Sequence, residues 1–213
     1  MAEHLVEHQF DTLEQQSGAR TLGMWIFLAT EVMFFGGLIL CYTFGRFSYP
    51  QAFEAASHRL YVGYGGPNTA ILICSSLTMA LAVRAAQLGR QKSLVRLLLC
   101  TISFGLGFLV VKGFEYHTDY VEHLVPGAHF QWEGGNGRQA ELFFWLYFVL
   151  TGLHALHVTI GIGILSVMLT FALRGRFGPQ TFQPVEITGL YWHFVDIVWV
   201  FLFPLLYLIG HRS

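Results

Sequence analysis

The sequence predicts an all-α polytopic membrane protein, a bundle of five transmembrane helices, and three observations support this fold class. Of the 213 residues, 54% are hydrophobic and only 12% are charged, whereas a typical soluble domain carries about 25% charged residues. The mean hydropathy is +0.52. Five stretches are long and apolar enough to cross a bilayer, which takes about 20 residues. This composition argues against a soluble enzyme, and a net charge of −1 gives no indication of nucleic-acid binding.

Each predicted span is a run of apolar residues bounded by polar or turn-forming ones. The spans cover residues 22–44, 67–88, 97–117, 141–173 and 187–210, after a soluble tail of residues 1–21, and residues 1–213 form a single domain. Pro67 suits the first turn of the second span, where a missing N–H costs nothing. Pro204 lies inside the fifth span, where proline kinks a helix or frees a carbonyl.

The distribution of basic residues predicts that the N-terminus lies inside and the C-terminus outside, because loops rich in Lys and Arg stay on the cytoplasmic side. One side of the bundle carries seven basic residues: Arg20, Arg84, Arg90, Lys92, Arg96, Arg174 and Arg176. The other side carries four: Arg46, Arg59, Arg138 and Arg212.

Five polar residues are placed at membrane depth, where ionisable groups are expensive and often functional. Glu31 lies about ten residues into the first span, roughly 15 Å from its inner end. His154 and His157 share one face of the fourth span, and His193 and Asp196 share one face of the fifth. Two interpretations stay open from spacing alone. The residues form an interhelical hydrogen-bond network, or the imidazoles and carboxylate hold a metal ion.

Two further sets of charged residues occur near the ends of the spans. Lys112 and Glu115 are three residues apart in the third span, so they can pair along the helix and reduce each other's cost of insertion. Arg174 and Arg176 follow the fourth span and are candidates for contact with lipid head groups, or serve only to set the topology.

Aromatic residues are concentrated in the fourth and fifth spans. Tyr147, Tyr191, Trp192 and Trp199 are among them. Tyr and Trp near span ends are typical of anchors at the membrane interface. We therefore expect these side chains to lie at the interface rather than around a cofactor.

Several strings resemble the motifs of one known family, subunit III of haem–copper terminal oxidases. The string YWHFVDIVW at residues 191–199 is highly specific to it, and TGLHALHV at residues 151–158 resembles the preceding helix. EVMFF at residues 31–35 and EY at residues 115–116 resemble two further motifs. The motifs occur in the family's order along most of the chain. The chain is similar to the short, five-helix bacterial form and lacks the first two helices of the seven-span form, which build one wall of a lipid cleft.

The resemblance implies a non-redox subunit of a proton-pumping respiratory oxidase in the bacterial plasma membrane. It implies no metal and no catalytic residue in this chain, with haem and copper in partner subunits and oxygen reduced to water by subunit I. The other expected partners are a copper or quinol-type subunit II and membrane lipids, including a bound phospholipid. The implied role is to support assembly, lipid packing, proton uptake and stable turnover. Glu31 would be the family's buried membrane carboxyl, and the His and Asp residues would form its internal polar network.

Several alternatives remain at this stage. The nearest are subunit III of a quinol oxidase and an accessory subunit of nitric oxide reductase. More remote alternatives are a stand-alone membrane metalloenzyme that uses the His and Asp residues, and a proton channel that uses Glu31. The expected electron donor of the complex is cytochrome c.

Overall fold

The protein is a bundle of long helices in a computed structural model that describes residues 12–133 and 135–208. The helices are α1 (Leu13–Ser48), α2 (Pro50–Ser57), α3 (Val62–Gln87), α4 (Gln91–Val121), α5 (Gly137–Leu173) and α6 (Gln183–Phe203). A π-helical stretch, Pro204–Leu208, follows α6 directly and is called the π segment below. Within residues 12–133 and 135–208, five helices are long and apolar enough to cross a membrane, which confirms the predicted number of spans. The described residues contain no strand.

The first span is longer than predicted because its start is well capped. Thr12 has an extended backbone, and its hydroxyl accepts a hydrogen bond from the backbone N–H of Gln15 at 3.1 Å. Residues 13–21, which we assigned to the soluble tail, therefore continue α1, while residues 1–11 lie outside the described part. At 1.5 Å per residue the 36 residues of α1 extend about 54 Å, well beyond a hydrocarbon core of about 30 Å. Residues 209–210 of the fifth predicted span also lie outside the described part.

One local prediction was wrong, and one short helix was not predicted. Pro67 lies inside α3, which begins at Val62, rather than in its first turn, because the chain enters the helix from an extended Tyr61 five residues earlier than expected. The short helix α2 was not predicted. Pro50 begins it, and its buried Phe53 packs against the rings of Tyr42 and Phe143, with centroids 5.6 and 5.5 Å apart.

Successive long helices run in opposite directions, so their ends lie at two opposite ends of the bundle. Gln91, at the start of α4, donates a hydrogen bond to the carbonyl of Ala172 at the end of α5. Gln183, at the start of α6, donates to the carbonyl and hydroxyl oxygens of Ser17 near the start of α1. These ends form one end of the bundle, called the N-terminal end below. The π segment lies at the opposite end, called the C-terminal end. Which end faces the cytoplasm stays a prediction.

Helix α6 is at the centre of the bundle and α1 is at its edge. In the most apolar stretch of each, 56% of the α6 residues are buried but only 11% of the α1 residues. Trp192 of α6 is fully buried, and its indole N–H donates to the hydroxyl of Ser75 at 3.0 Å. Its ring lies between Gly105 of α4 and Gly161 of α5. A Cβ on either glycine would come within 2.8 Å of that ring.

The predicted interface anchors in these two helices are core residues. Tyr147, Trp192 and Trp199 are all fully buried. Helix α6 does have an exposed side, which carries Ile197 and Phe201, but these three aromatic residues lie on the faces of α5 and α6 that pack against other helices, so they fill the interior.

Candidate functional site

The centre of the candidate site is a contact between Glu31 and His157. The two helices that carry them, α1 and α5, place the Glu31 carboxyl oxygen Oε2 3.1 Å from His157 Nε2. Nδ1 of the same imidazole lies 2.8 Å from the carbonyl of Leu153, one turn earlier on α5. Since that carbonyl can only accept, Nδ1 carries a proton. A neutral Glu31 then donates to Nε2, or a protonated His157 donates to the carboxylate, so one proton is shared between the two side chains.

The pair lies at the mid-depth of the bundle and is only partly enclosed. Glu31 lies near the middle of α1, which runs from Leu13 to Ser48. The Glu31 side chain is 20% exposed and that of His157 13% exposed. The ring of Phe35 packs edge-on against the imidazole, with centroids 5.2 Å apart. Tyr191 of α6 donates its hydroxyl proton to the carbonyl of His157 at 3.0 Å, which joins α6 to the same point.

A groove runs from this pair toward the N-terminal end of the bundle. Its volume is about 480 Å³, within the size range of ligand pockets. The lining is mainly apolar and comes from three helices: Met24, Phe27 and Glu31 of α1, His157, Ile160 and Ile164 of α5, and Ile187, Thr188 and Tyr191 of α6. The carboxyl–imidazole pair therefore lies at the mid-depth end of the groove, and the apolar lining of the groove suits a hydrocarbon chain.

The other predicted network residues lie apart from this pair. His193 Nδ1 lies 2.7 Å from the hydroxyl of Ser76 on α3. Asp196 is buried, and neither of its carboxyl oxygens has a hydrogen-bond partner among the described residues. His154 is fully buried between Phe108 and Trp199, with ring centroids 5.3 and 5.1 Å away. Both of its ring nitrogens also lack a partner within the described part.

The five residues are thus not joined by one chain of hydrogen bonds in the part of the molecule that the structure describes. Glu31 and His157 are brought together. His193 is paired with Ser76, whose side chain also lies close to the Asp196 carboxyl, and His154 is enclosed by aromatic rings. No group of three or more His, Cys, Asp or Glu side chains in residues 12–133 and 135–208 is placed to hold a metal ion.

Lys112 and Glu115 form a buried ion pair, with Nζ and Oε2 3.0 Å apart and both side chains at most 2% exposed. Sequence reasoning missed two partners of this pair, Tyr147 of α5 and Tyr207 of the π segment, which both bond to it. Nothing in their spacing relates them to α4. Asp119 lies one turn further along α4 and is also buried, with its Oδ2 atom unpaired within the described residues. Lys112, Glu115 and Asp119 are three and four residues apart, so they share one face of α4. This spacing could have predicted that Asp119 lies near the ion pair.

Arg174 and Arg176 lie at the N-terminal end of the bundle, just beyond α5. Both are exposed. The Arg176 guanidinium stacks over the ring of Phe171, 5.0 Å from its centroid. Contact of either arginine with a lipid head group stays a prediction.

Fold and site together define a polytopic helical membrane protein with a mid-depth carboxyl–imidazole pair beside an apolar groove. A family model described as cytochrome c oxidase subunit III matches residues 6–211. The chain therefore belongs to this family, as its sequence motifs predicted, and is a subunit III of haem–copper oxidases.

Individual relatives carry more than one kind of name. The chain is 34% identical to cytochrome c oxidase subunit 3 of Corynebacterium diphtheriae over 191 residues, 89% of this chain and 87% of the relative. It is also 34% identical to quinol oxidase subunit 3 of Bacillus spizizenii over 197 residues, 89% of this chain and 86% of the relative. A heme-copper oxidase subunit I+III of Aeropyrum pernix is 34% identical over 196 residues, 87% of this chain but 22% of the longer relative.

Proposed function

We propose that this chain is the non-redox subunit III of a proton-pumping oxidase of the cytochrome c oxidase type, in the bacterial plasma membrane. It packs beside a subunit I that contains haem and copper and reduces oxygen to water, with a subunit II as the third member. The chain contributes assembly, lipid packing, support of proton uptake and stability during turnover. The fused Aeropyrum pernix relative, which joins the names of subunits I and III, supports contact with subunit I.

The observation that supports this role is the position of the Glu31–His157 pair at the mid-depth end of the groove. The groove follows α1, α5 and α6 from mid-depth toward the N-terminal end, where Arg174 and Arg176 are exposed. Ile164 lines the groove ten residues before Arg174, a distance of about 15 Å along α5. A phospholipid with its phosphate near these arginines would therefore extend an acyl chain along the groove toward Glu31. The bound lipid would fill the space between α1 and the rest of the bundle.

A conservative variant, Glu31→Gln, tests this role in the intact oxidase. Glutamine keeps the shape and can still bond to His157 but removes the ionisable group, so subunit III should stay in the complex. We expect faster inactivation during turnover, slower proton uptake and less co-purifying phospholipid. Glu14→Gln, which neutralises an exposed carboxyl at the start of α1, is the matched control and should change none of these properties.

Two results would count against the role of the carboxyl. One is that Glu31→Gln matches the parent in turnover lifetime, proton uptake and lipid content. The other is complete loss of subunit III from the complex, which would make Glu31 a purely structural residue.

A quinol oxidase is the second candidate, because the Bacillus spizizenii relative is as similar to this chain as the Corynebacterium diphtheriae relative. The gently solubilised complex separates the two candidates. Oxygen consumption with reduced cytochrome c supports the first, and consumption with a quinol but not with cytochrome c supports the second. Optical spectra of the same sample identify the haem types in the partner subunits.

A further inference from the structure

Four buried side chains at the C-terminal end of the bundle form a hydrogen-bonded cluster, called the Lys112 cluster: Lys112, Glu115, Tyr147 and Tyr207. The buried carboxyl of Asp119 lies beside it. An ammonium group has three N–H donors, and each one of Lys112 has an acceptor. The three acceptors are Glu115 Oε2 at 3.0 Å, the Tyr147 hydroxyl at 3.0 Å and the Tyr207 hydroxyl at 2.8 Å. Both tyrosine hydroxyls in turn donate a hydrogen bond to Glu115 Oε1, and the bond from Tyr147 is 2.8 Å long. Every donor in the cluster is used.

Aromatic rings enclose the ammonium group on its remaining sides. The ring centroids of Tyr116, Tyr147, Trp199 and Tyr207 lie between 4.7 and 5.5 Å from Nζ. The faces of such rings attract a cation. The donors of these four side chains are therefore all used within the cluster, which joins three elements: α4, α5 and the π segment.

The π segment depends on these contacts more than the long helices do. Pro204 has no backbone N–H, and the regular α-helix ends there. The π segment, which starts at Pro204, has stabilising contacts through two tyrosine hydroxyls. Tyr207 bonds to Glu115 and Lys112 of α4, and Tyr42 of α1 donates to the carbonyl of Leu205 at 2.9 Å. By contrast, Tyr147 is in the interior of a 37-residue helix, which is held along its whole length.

Burial of an ion pair adds little net stability, because removing two charges from water costs about as much as their attraction returns. A saturated pair with fixed geometry does specify one arrangement of the elements that complete it. We propose that the Lys112 cluster is a latch that holds the π segment, and with it the end of α6, in a single position against α4. This inference is independent of the proposed function.

Two variants that remove equivalent hydroxyls test the latch in the purified oxidase complex. Tyr207→Phe and Tyr147→Phe each delete one group that donates to Glu115 and accepts from Lys112. We expect Tyr207→Phe to speed amide hydrogen exchange in the peptide covering residues 204–208 by about tenfold, which is equivalent to about 1.4 kcal/mol. Exchange in α4 and α5 should be unchanged. Tyr147→Phe should leave exchange of the π segment at the parent rate.

Equal exchange of residues 204–208 in the two variants would overturn the latch. If Tyr207→Phe does not assemble, the double variant Lys112→Met with Glu115→Gln carries the test, because it removes both charges and leaves neither one buried alone. The latch predicts local acceleration at residues 204–208 in this variant too. Exchange there at the parent rate would refute it.

Discussion

Adding a single methyl group at Gly161 measures how tightly Trp192 is packed between α4 and α5. In Gly161→Ala the new Cβ would lie 2.8 and 2.9 Å from two ring carbons of Trp192. The new Cβ would also lie 3.2 Å from Cε1 of Tyr191, and the adjacent ring carbon of Trp192, Cη2, already packs against Gly105 at a distance that leaves no room for a Cβ. Overpacking of this kind costs about 1–3 kcal/mol.

Gly163→Ala is the matched control on the same helix. A Cβ at Gly163 meets nothing within 4 Å. Both variants gain the same intrinsic preference of alanine for a helix, about 1 kcal/mol, so their difference isolates the packing cost. For a chain of this length 1 kcal/mol shifts the melting temperature by about 2–4 °C. We therefore expect Gly161→Ala to melt roughly 2–12 °C below Gly163→Ala.

Thermal denaturation of the detergent-solubilised complex, followed by size-exclusion chromatography of the subunit III signal, gives both melting temperatures. Equal values for the two variants would refute the reasoning. The Trp192 ring would then accommodate the methyl group without cost, and close contact at the two glycines would not define the packing of α4, α5 and α6.

Two further predictions concern the loops at the C-terminal end of the bundle. Asn136 caps α5 with φ at +70°, a left-handed conformation that costs most L-residues about 1–2 kcal/mol. Asn136→Ala should lower the melting temperature in the same assay, whereas Asn136→Gly should preserve it; equal losses would contradict this. At Tyr61, a hydrogen bond of 2.8 Å to Glu122 raises the pKa of the phenol, because the neutral hydroxyl donates and ionisation would place two negative charges together. The contact therefore stabilises the fold at pH values below the unfolded tyrosine pKa and is lost as the pH rises through the raised one. Glu122→Gln should bring the Tyr61 pKa back toward its usual value, measured as the difference in alkaline absorbance titration between each protein and its Tyr61→Phe version; an unchanged pKa would disprove the assignment.

Hydropathy predicted the five spans well, because each long helix must present apolar side chains to lipid whatever its neighbours are. Hydropathy did not predict the features whose structure depends on contacts with neighbouring helices. Helix α2 is only eight residues long and forms because Phe53 finds a pocket between Tyr42 and Phe143. Tyr147 was assigned to the membrane interface by its position in the span, yet the buried charges of α4 draw it into the core.

In the candidate site, too, the sequence predicted positions along each helix but not the contacts between helices. Spacing placed His154 and His157 on one side of α5, but it could not show that only His157 meets a carboxyl from α1. His154, one turn away, is enclosed by aromatic rings instead. The tyrosine at position 207 gave no signal at all, because its partner is 92 residues away in the sequence.

The position of α1 at the edge of the bundle has a consequence for how it stays attached. Within a bilayer apolar side chains gain little by leaving lipid for protein, so polar contacts and close packing must hold a peripheral helix in place. Three such contacts are spread along α1 at well-separated depths: Ser17 with Gln183, Glu31 with His157, and Tyr42 with Leu205. Weakening the middle contact leaves a polar contact toward either end of the helix, so loss of the Glu31–His157 contact alone should not detach α1 from its neighbours.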